Sequence, residues 1–190
     1  NVDAVTGLDL RRHFLGRFGA LLEREDGPDA GGLLLLRLQG LAELNQRAGR
    51  AATDAWLGQV GRALAGAAAA DEDWLAGRLN GSDIAVVWSG AVHDESLVES
   101  LRDRLAPVIA AAPMPARACL AVVGWLHGQA VGALLAQVDE AMAEAEGLPA
   151  STDHRPVLVW QREPVDSHPV GAQAWREGIL RALTEGGARL

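Results

Sequence analysis

Apolar and polar positions follow two rhythms along this chain, and the switches between them mark its elements. From Leu8 to Glu25, the residues Leu10, Phe14, Phe18, Leu21 and Leu22 recur at helical spacing, and Glu25-Asp26-Gly27-Pro28 closes the segment. Gly32 to Leu38 is instead an almost unbroken apolar run, the pattern of a strand covered on both faces. Helices follow at Leu41 to Ala48 and Thr53 to Ala70, the second with Thr53 as N-cap and Trp56, Leu57, Val60 and Leu64 on one face. Two strands, Trp74 to Leu79 and Ile84 to Trp88, flank Asn80-Gly81-Ser82-Asp83, whose Asn-Gly pair signals a tight hairpin. Glu95 to Ala112 reads as a helix that Pro107 should kink or restart, with Pro113 and Pro115 ending it. A strand over Arg117 to Val123, a helix over Val131 to Glu146 and a last strand over Pro156 to Trp160 complete the series. Strands alternating with helices around one hairpin indicate an α/β (α+β) class, a mixed sheet with helices packed on it.

From Gln161 the pattern turns polar, with Pro164 and Pro169. Ala172 to Leu183 then sets Trp175, Ile179, Leu180 and Leu183 in one apolar stripe. Residues 1–161 are therefore expected to form one domain, and 162–190 a linker and a further helix. That stripe fits either the lead-in to a second domain or a helix covering this domain's own sheet.

Composition narrows the function classes. With 49% hydrophobic and 22% charged residues the 190-residue chain can bury a core. A formal charge of −8 with scattered arginines argues against a broad nucleic-acid-binding face. No apolar run reaches the ~20 residues of a membrane span, and Asn1-Val2-Asp3 has no signal-peptide pattern. The start without methionine is expected of a segment of a longer chain, which leaves membrane attachment elsewhere open. The single Cys119 lies in an apolar run and reads as a core residue. His13, His93, His127, His154 and His168 show no paired metal-ligand spacing, so they read as surface or structural residues. The six tryptophans read as core and interface residues. Arg37, alone in an apolar strand, is the oddest residue, because a buried charge needs a partner. It either pairs, with Asp83 as the candidate, or lies at the strand's end and reaches water.

Asp3-Ala4-Val5-Thr6-Gly7-Leu8-Asp9-Leu10-Arg11-Arg12-His13-Phe14 resembles the D-x-L-T-G-L-x-N-R-R-x-F opening of GGDEF domains, which in their intact form condense two GTP into cyclic di-GMP. Leu44-Asn45 through Gly49 to Asp54 is similar to the family's I-N-D-x-x-G-H-x-x-G-D. Arg78-Leu79-Asn80-Gly81-Ser82-Asp83-Ile84-Ala85 stands where R-x-G-G-D-E-F-A is expected. Order and spacing agree across residues 3 to 160. The resemblance implies a five-stranded mixed sheet wrapped by helices, with a GTP half-site at the hairpin.

That chemistry needs a divalent metal held by carboxylates and cations on the phosphates. The resemblance puts Arg37 at the metal-binding aspartate, eight residues before the guanine-binding asparagine, so no metal is expected. It puts Ser82 at the catalytic acid, Asp83 at the following glutamate, and Glu146 at the phosphate-binding lysine of the late helix. The signature Asn80, Gly81, Ser82, Asp83, Ile84 is thus degenerate and no catalytic residue or cofactor is assigned. Asn45 and Asp54 keep the nine-residue spacing that reads a guanine edge; otherwise Asn45 is a local cap and Asp54 a solvated helix-start acid. The product-inhibition motif R-x-x-D would begin at Asp71 and end at Trp74, so neither member is present.

The expected role is a non-catalytic, signal-transmitting domain of a cyclic di-GMP signalling protein, with GTP bound weakly or not at all. The alternatives are a GTP sensor controlling an attached EAL phosphodiesterase, and a residual diguanylate cyclase. Expected partners are an upstream signalling helix and a following EAL domain, whose first helix Trp175 to Leu183 resembles; a homodimer is also compatible. The expected location is cytoplasmic, as part of an inner-membrane protein or free of one.

Overall fold

The computed structural model describes residues 1–68 and 71–161. The elements run β1 (Asp9–Leu10), α1 (Arg11–Glu23), β2 (Ala30–Gln39), α2 (Leu41–Ala48), α3 (Arg50–Ala65), β3 (Leu75–Arg78), β4 (Asp83–Ser89), α4 (Glu95–Ala110), β5 (Arg117–Leu126), α5 (Val131–Gly147) and β6 (Val157–Gln161). They build a mixed α/β domain on a sheet of order β1-β3-β4-β2-β5-β6. β2 lies antiparallel between β4 and β5, while β1·β3 and β5·β6 are parallel.

The apolar run of β2 is explained by its place in the middle of the sheet. Leu33 and Leu35 face one core with Phe14, Phe18, Trp125 and the buried residues of α5. Leu34 and Leu36 face the other, with Trp56, Trp88 and the buried residues of α3 and α4. Helices therefore cover both faces, and an alternating strand would have put polar groups into one of the cores.

Two glycines at the start of β2 make room for two tryptophans. Gly31 is in register with Trp125 and Gly32 with Trp88, on opposite faces because strand side chains alternate. A Cβ on Gly32 would stand 2.1 Å from the Trp88 ring, and one on Gly31 would stand 2.5 Å from the Trp125 ring and 1.9 Å from the Trp88 carbonyl oxygen. Each ring lies over its partner glycine, and both rings are fully buried. Cys119 is buried, as its apolar setting implies.

Four expectations are corrected. Among the described residues the sheet has six strands rather than five, because the two residues Asp9 and Leu10, expected in a helix from Leu8, pair in parallel with Gly77 and Arg78. Thr53 does not cap its helix: Gly49, at φ 88°, separates α2 from α3, and Thr53 is buried one turn in, donating its hydroxyl to the Gly49 carbonyl at 2.9 Å. That helix ends at Ala65, followed by a short 3-10 turn over Gly66–Ala68, not at Ala70. Pro107 does not restart α4, which runs unbroken to Ala110; near the C-terminal end it removes one donor and still accepts from the Ala111 N–H. The linker and helix expected over 162–190, including Trp175 and His168, lie outside the described residues.

Candidate functional site

The hairpin between β3 and β4 is held by its own polar groups. The Asn80 side-chain oxygen accepts from the Ser82 N–H at 3.0 Å, the Ser82 hydroxyl at 3.2 Å and the Asp83 N–H at 2.9 Å, while its amide donates to Asp83 Oδ2 at 3.1 Å. An Asn side chain reproducing a turn's backbone bonds is the usual reason for its place in tight loops. Arg78, at the other foot of the hairpin, donates to the Gly81 carbonyl and to both carboxylate oxygens of Asp3. Asp3 also accepts from the N–H and hydroxyl of Thr6. The opening motif and the hairpin, 75 residues apart, are thus one hydrogen-bonded unit. Burial works against ionisation of Asp3, yet Thr6 and Arg78 hold its carboxyl below the usual range.

Arg37 shares the β2 face of Leu33 and Leu35, which turns it toward α5. It is in register with Asp83 on β4. Its Nε and Nη2 donate to the two Asp83 oxygens, both at 2.8 Å, the fork geometry of a strong arginine–carboxylate pair. Its Nη1 donates to Glu146 Oε1 on α5 at 2.7 Å, and Asp139 stands 3.7 Å from Nη2. Gln39 holds the other Glu146 oxygen at 3.0 Å. The Asp83 side chain is 9% exposed and that of Arg37 27%. Burial alone would raise the Asp83 carboxyl, but Arg37, Asn80 and Ser82 hold it below the ordinary carboxylate range. The same hydrogen bonds hold Arg37 firmly protonated. Both readings of Arg37 are partly met: it pairs with Asp83, and it lies two residues from the strand's end with partial access to water.

The residues here do not fit a divalent cation. Both Asp83 oxygens and one Glu146 oxygen face the guanidinium, which fills the space a metal would need between them, and its positive charge repels one. Among the described residues no cluster of three His, Cys, Asp or Glu is arranged to hold a metal ion.

Asn45, Asp54, Gly81 and Ser82 come together instead in a cleft of about 520 Å³, with Val5, Leu41, Arg50, Thr53, Leu57 and Arg78. Neither the Asn45 nor the Asp54 side chain has a hydrogen-bond partner among the described residues, so both remain available to a ligand. Asn80, Asp83, Ile84 and Arg37 do not line the cleft. The contact that sequence reading missed is Arg37 to Glu146, across 109 residues. A signal for it existed: the two positions depart from the family pattern with opposite signs, as partners do.

The hairpin and the cleft beside it thus sit together on one mixed α/β sheet. The family described as diguanylate cyclase, GGDEF domain, matches residues 1–149, and the chain belongs to that family. No curated protein sequence matches the chain. Among solved structures, diguanylate cyclase SiaD in complex with its activator SiaC from Pseudomonas aeruginosa aligns at TM-score 0.68 and 20% identity, over 84% of this chain and 61% of that one. The S helix-GGDEF-EAL structure of Vibrio cholerae LapD bound to c-di-GMP aligns at 0.64 and 17%, over 97% and 42%. A sensory box/GGDEF family protein from Caulobacter crescentus CB15 aligns at 0.62 and 27%, over 76% and 97%. The chain thus spans less than two thirds of the SiaD chain and less than half of the LapD chain.

Proposed function

We propose that this GGDEF domain is a non-catalytic regulatory module of a cyclic di-GMP signalling protein, passing a conformational signal between an upstream helix and a following EAL domain. The observation that carries this is Arg37, whose guanidinium stands between Asp83 and Glu146 where the family chemistry calls for a metal ion. A reaction that needs metal and cationic phosphate contacts meets a fixed organic cation and surplus carboxylates. The alignment with LapD, a GGDEF-EAL protein, over 97% of this chain favours the EAL partner. Within the described residues no helix is long and apolar enough to cross a membrane. We place the domain in the cytoplasm, in a protein that carries any membrane anchor elsewhere.

Incubation with GTP and magnesium or manganese should give no cyclic di-GMP by mass spectrometry. Product above a no-enzyme control that disappears in Asp83→Ala would instead identify a residual cyclase. Arg37→Asp with Ser82→Glu should also remain inactive, because Glu146 still presents an acid to the phosphates; recovered turnover would refute that assignment.

A second reading is favoured by the cleft at Asn45 and Asp54, whose free side chains can read a guanine edge. In that reading GTP binding controls the attached phosphodiesterase. Calorimetry separates the two: weak or absent binding is expected, and a dissociation constant below about 1 μM, near −8 kcal/mol, would establish the sensor.

A further inference from the structure

We propose that the outer face of α1 and α5 is a self-association surface, on which a second copy of this chain docks about a two-fold axis with each α1 lying over the other copy's α5. Both helices pack on the sheet face opposite the cleft, which Leu41 and Leu57 of the other core border, so pairing here leaves the cleft open. The inference is independent of the function proposed above. Turnover reads that function and oligomeric state reads this surface, so either can fail alone.

The two helices run in opposite directions. α1 begins beside the hairpin, where Arg11 Nη1 lies 3.5 Å from the Leu79 carbonyl oxygen, and α5 ends there, with Glu146 on Arg37. Their other ends meet: the Gly128 N–H donates to the Leu22 carbonyl at 2.8 Å, and a Cβ on Gly19 would stand 3.7 Å from Val131. Counted from that contact at about 1.5 Å per residue, Leu15 and Leu135 stand level at about 6 Å toward the hairpin, with Arg12 at about 10 Å and Glu140 at about 13 Å. A two-fold axis along the groove between the helices exchanges α1 for α5 and preserves these levels. Leu15 and Leu135, both partly exposed, then meet their symmetry mates at the centre, and Arg12 of each copy meets Asp139 and Glu140 of the other.

Charge complementarity within this one face is what selects a second copy. At −8 overall, two copies repel one another, so pairing needs local attraction. Arg12 supplies one side: it is exposed and without a partner among the described residues, whereas Arg17 and His13 turn to Asp9. Glu140, likewise exposed and unpartnered, supplies the other, beside the exposed Asp139. Gly16 points the same way in packing. Glycine weakens a helix interior relative to alanine, yet no described atom lies within 4 Å of where a Gly16 Cβ would stand. Together with Ala20 on α1 and with Gly132 and Ala136 on α5, all exposed, it leaves room for another helix to approach closely. Helices of 13 and 17 residues side by side present a face of roughly 20 Å by 20 Å, so about 800 Å² is buried in total, the size of a weak, transient interface.

Sedimentation equilibrium of the 190-residue chain tests this. A monomer–dimer equilibrium with a dissociation constant on the order of 100 μM is expected. Arg12→Glu sets like charges against each other twice per dimer, as does Glu140→Arg, and each should weaken pairing by about tenfold or more. In an equimolar mixture of the two variants every contact between unlike copies again joins opposite charges, so the mixture should pair as the parent does, and so should the double variant. Arg47→Ala on α2, across the sheet, is the control and should change nothing. Both charge reversals sit at exposed helix positions, and unchanged circular dichroism would show that a loss of pairing is not a loss of fold. A chain that stays monomeric at about 500 μM, five times that constant, overturns the proposal. So do single variants that pair as well as the parent, and a mixture that stays monomeric.

Discussion

Asp83→Ala should lower the free energy of unfolding at neutral pH by about 3 kcal/mol, the lower end of the range for breaking a buried ion pair by removing one partner. Arg37 would lose its two 2.8 Å bonds and keep Glu146, which is why the lower end applies. The hairpin would also lose the Asn80 and Ser82 contacts to the carboxylate. The pair carries a pH signature. The Asp83 carboxyl is held below its ordinary value of 3.8 in the folded protein, so the unfolded chain takes up protons first as pH falls. Its stabilisation is fully present above about pH 5 and is lost as the pH falls through the folded value. Urea unfolding from pH 7 to pH 3 should show a steep acid limb in the parent and a shallower one in Asp83→Ala. Equal limbs would mean that the pair contributes nothing to acid sensitivity.

Trp125→Ala should cost more, about 4 kcal/mol, because a fully buried indole leaves a large cavity. The ring packs edge-on to Phe18 at 6.2 Å, and its N–H donates to the Gly32 carbonyl at 3.1 Å. Nothing else can fill the space over Gly31, since a Cβ there would strike the Trp88 carbonyl oxygen at 1.9 Å. Trp160, partly exposed on the edge strand β6, serves as the control, and its alanine variant should lose less than half as much. A Trp125→Ala protein as stable as Trp160→Ala in urea titrations would show that the sheet relaxes into the cavity. Gly32→Ala should destabilise by about 1–3 kcal/mol through overpacking against Trp88.

The parts of the fold legible in the sequence are those that local pattern determines. Leu33 to Leu36 announce a central strand, and Asn80-Gly81 announces the hairpin, because periodicity and turn chemistry act over a few residues. β1 was not legible, since two residues have no periodicity and exist as a strand only through pairing with Gly77 and Arg78. Thr53 has the chemistry of a cap for α3, yet Gly49, with its positive φ, already separates the helices. At the site, motif spacing located Asn45, Asp54 and the hairpin, and the structure gathers all three at one cleft. What spacing could not convey is the division of labour: the cleft lies beside the hairpin, and the charged junction of Arg37, Asp83 and Glu146 lies toward α5. Which charges meet across the sheet is a property of register and of helix docking, neither of which a one-dimensional pattern contains.

The sheet order also governs when the molecule can assemble during its synthesis. β2 is complete by Gln39, but its partners are β4, which starts at Asp83, and β5, which starts at Arg117. At a ribosomal rate of roughly 5–20 residues per second, its second edge stays unpaired for about 4–16 seconds after it emerges. Throughout that wait the run Leu33 to Leu36 presents open backbone donors and acceptors with leucines on both faces, the features that recruit foreign strands. The nascent chain is therefore most vulnerable before its centre exists, and β5, the second neighbour of β2, closes the path to aggregation.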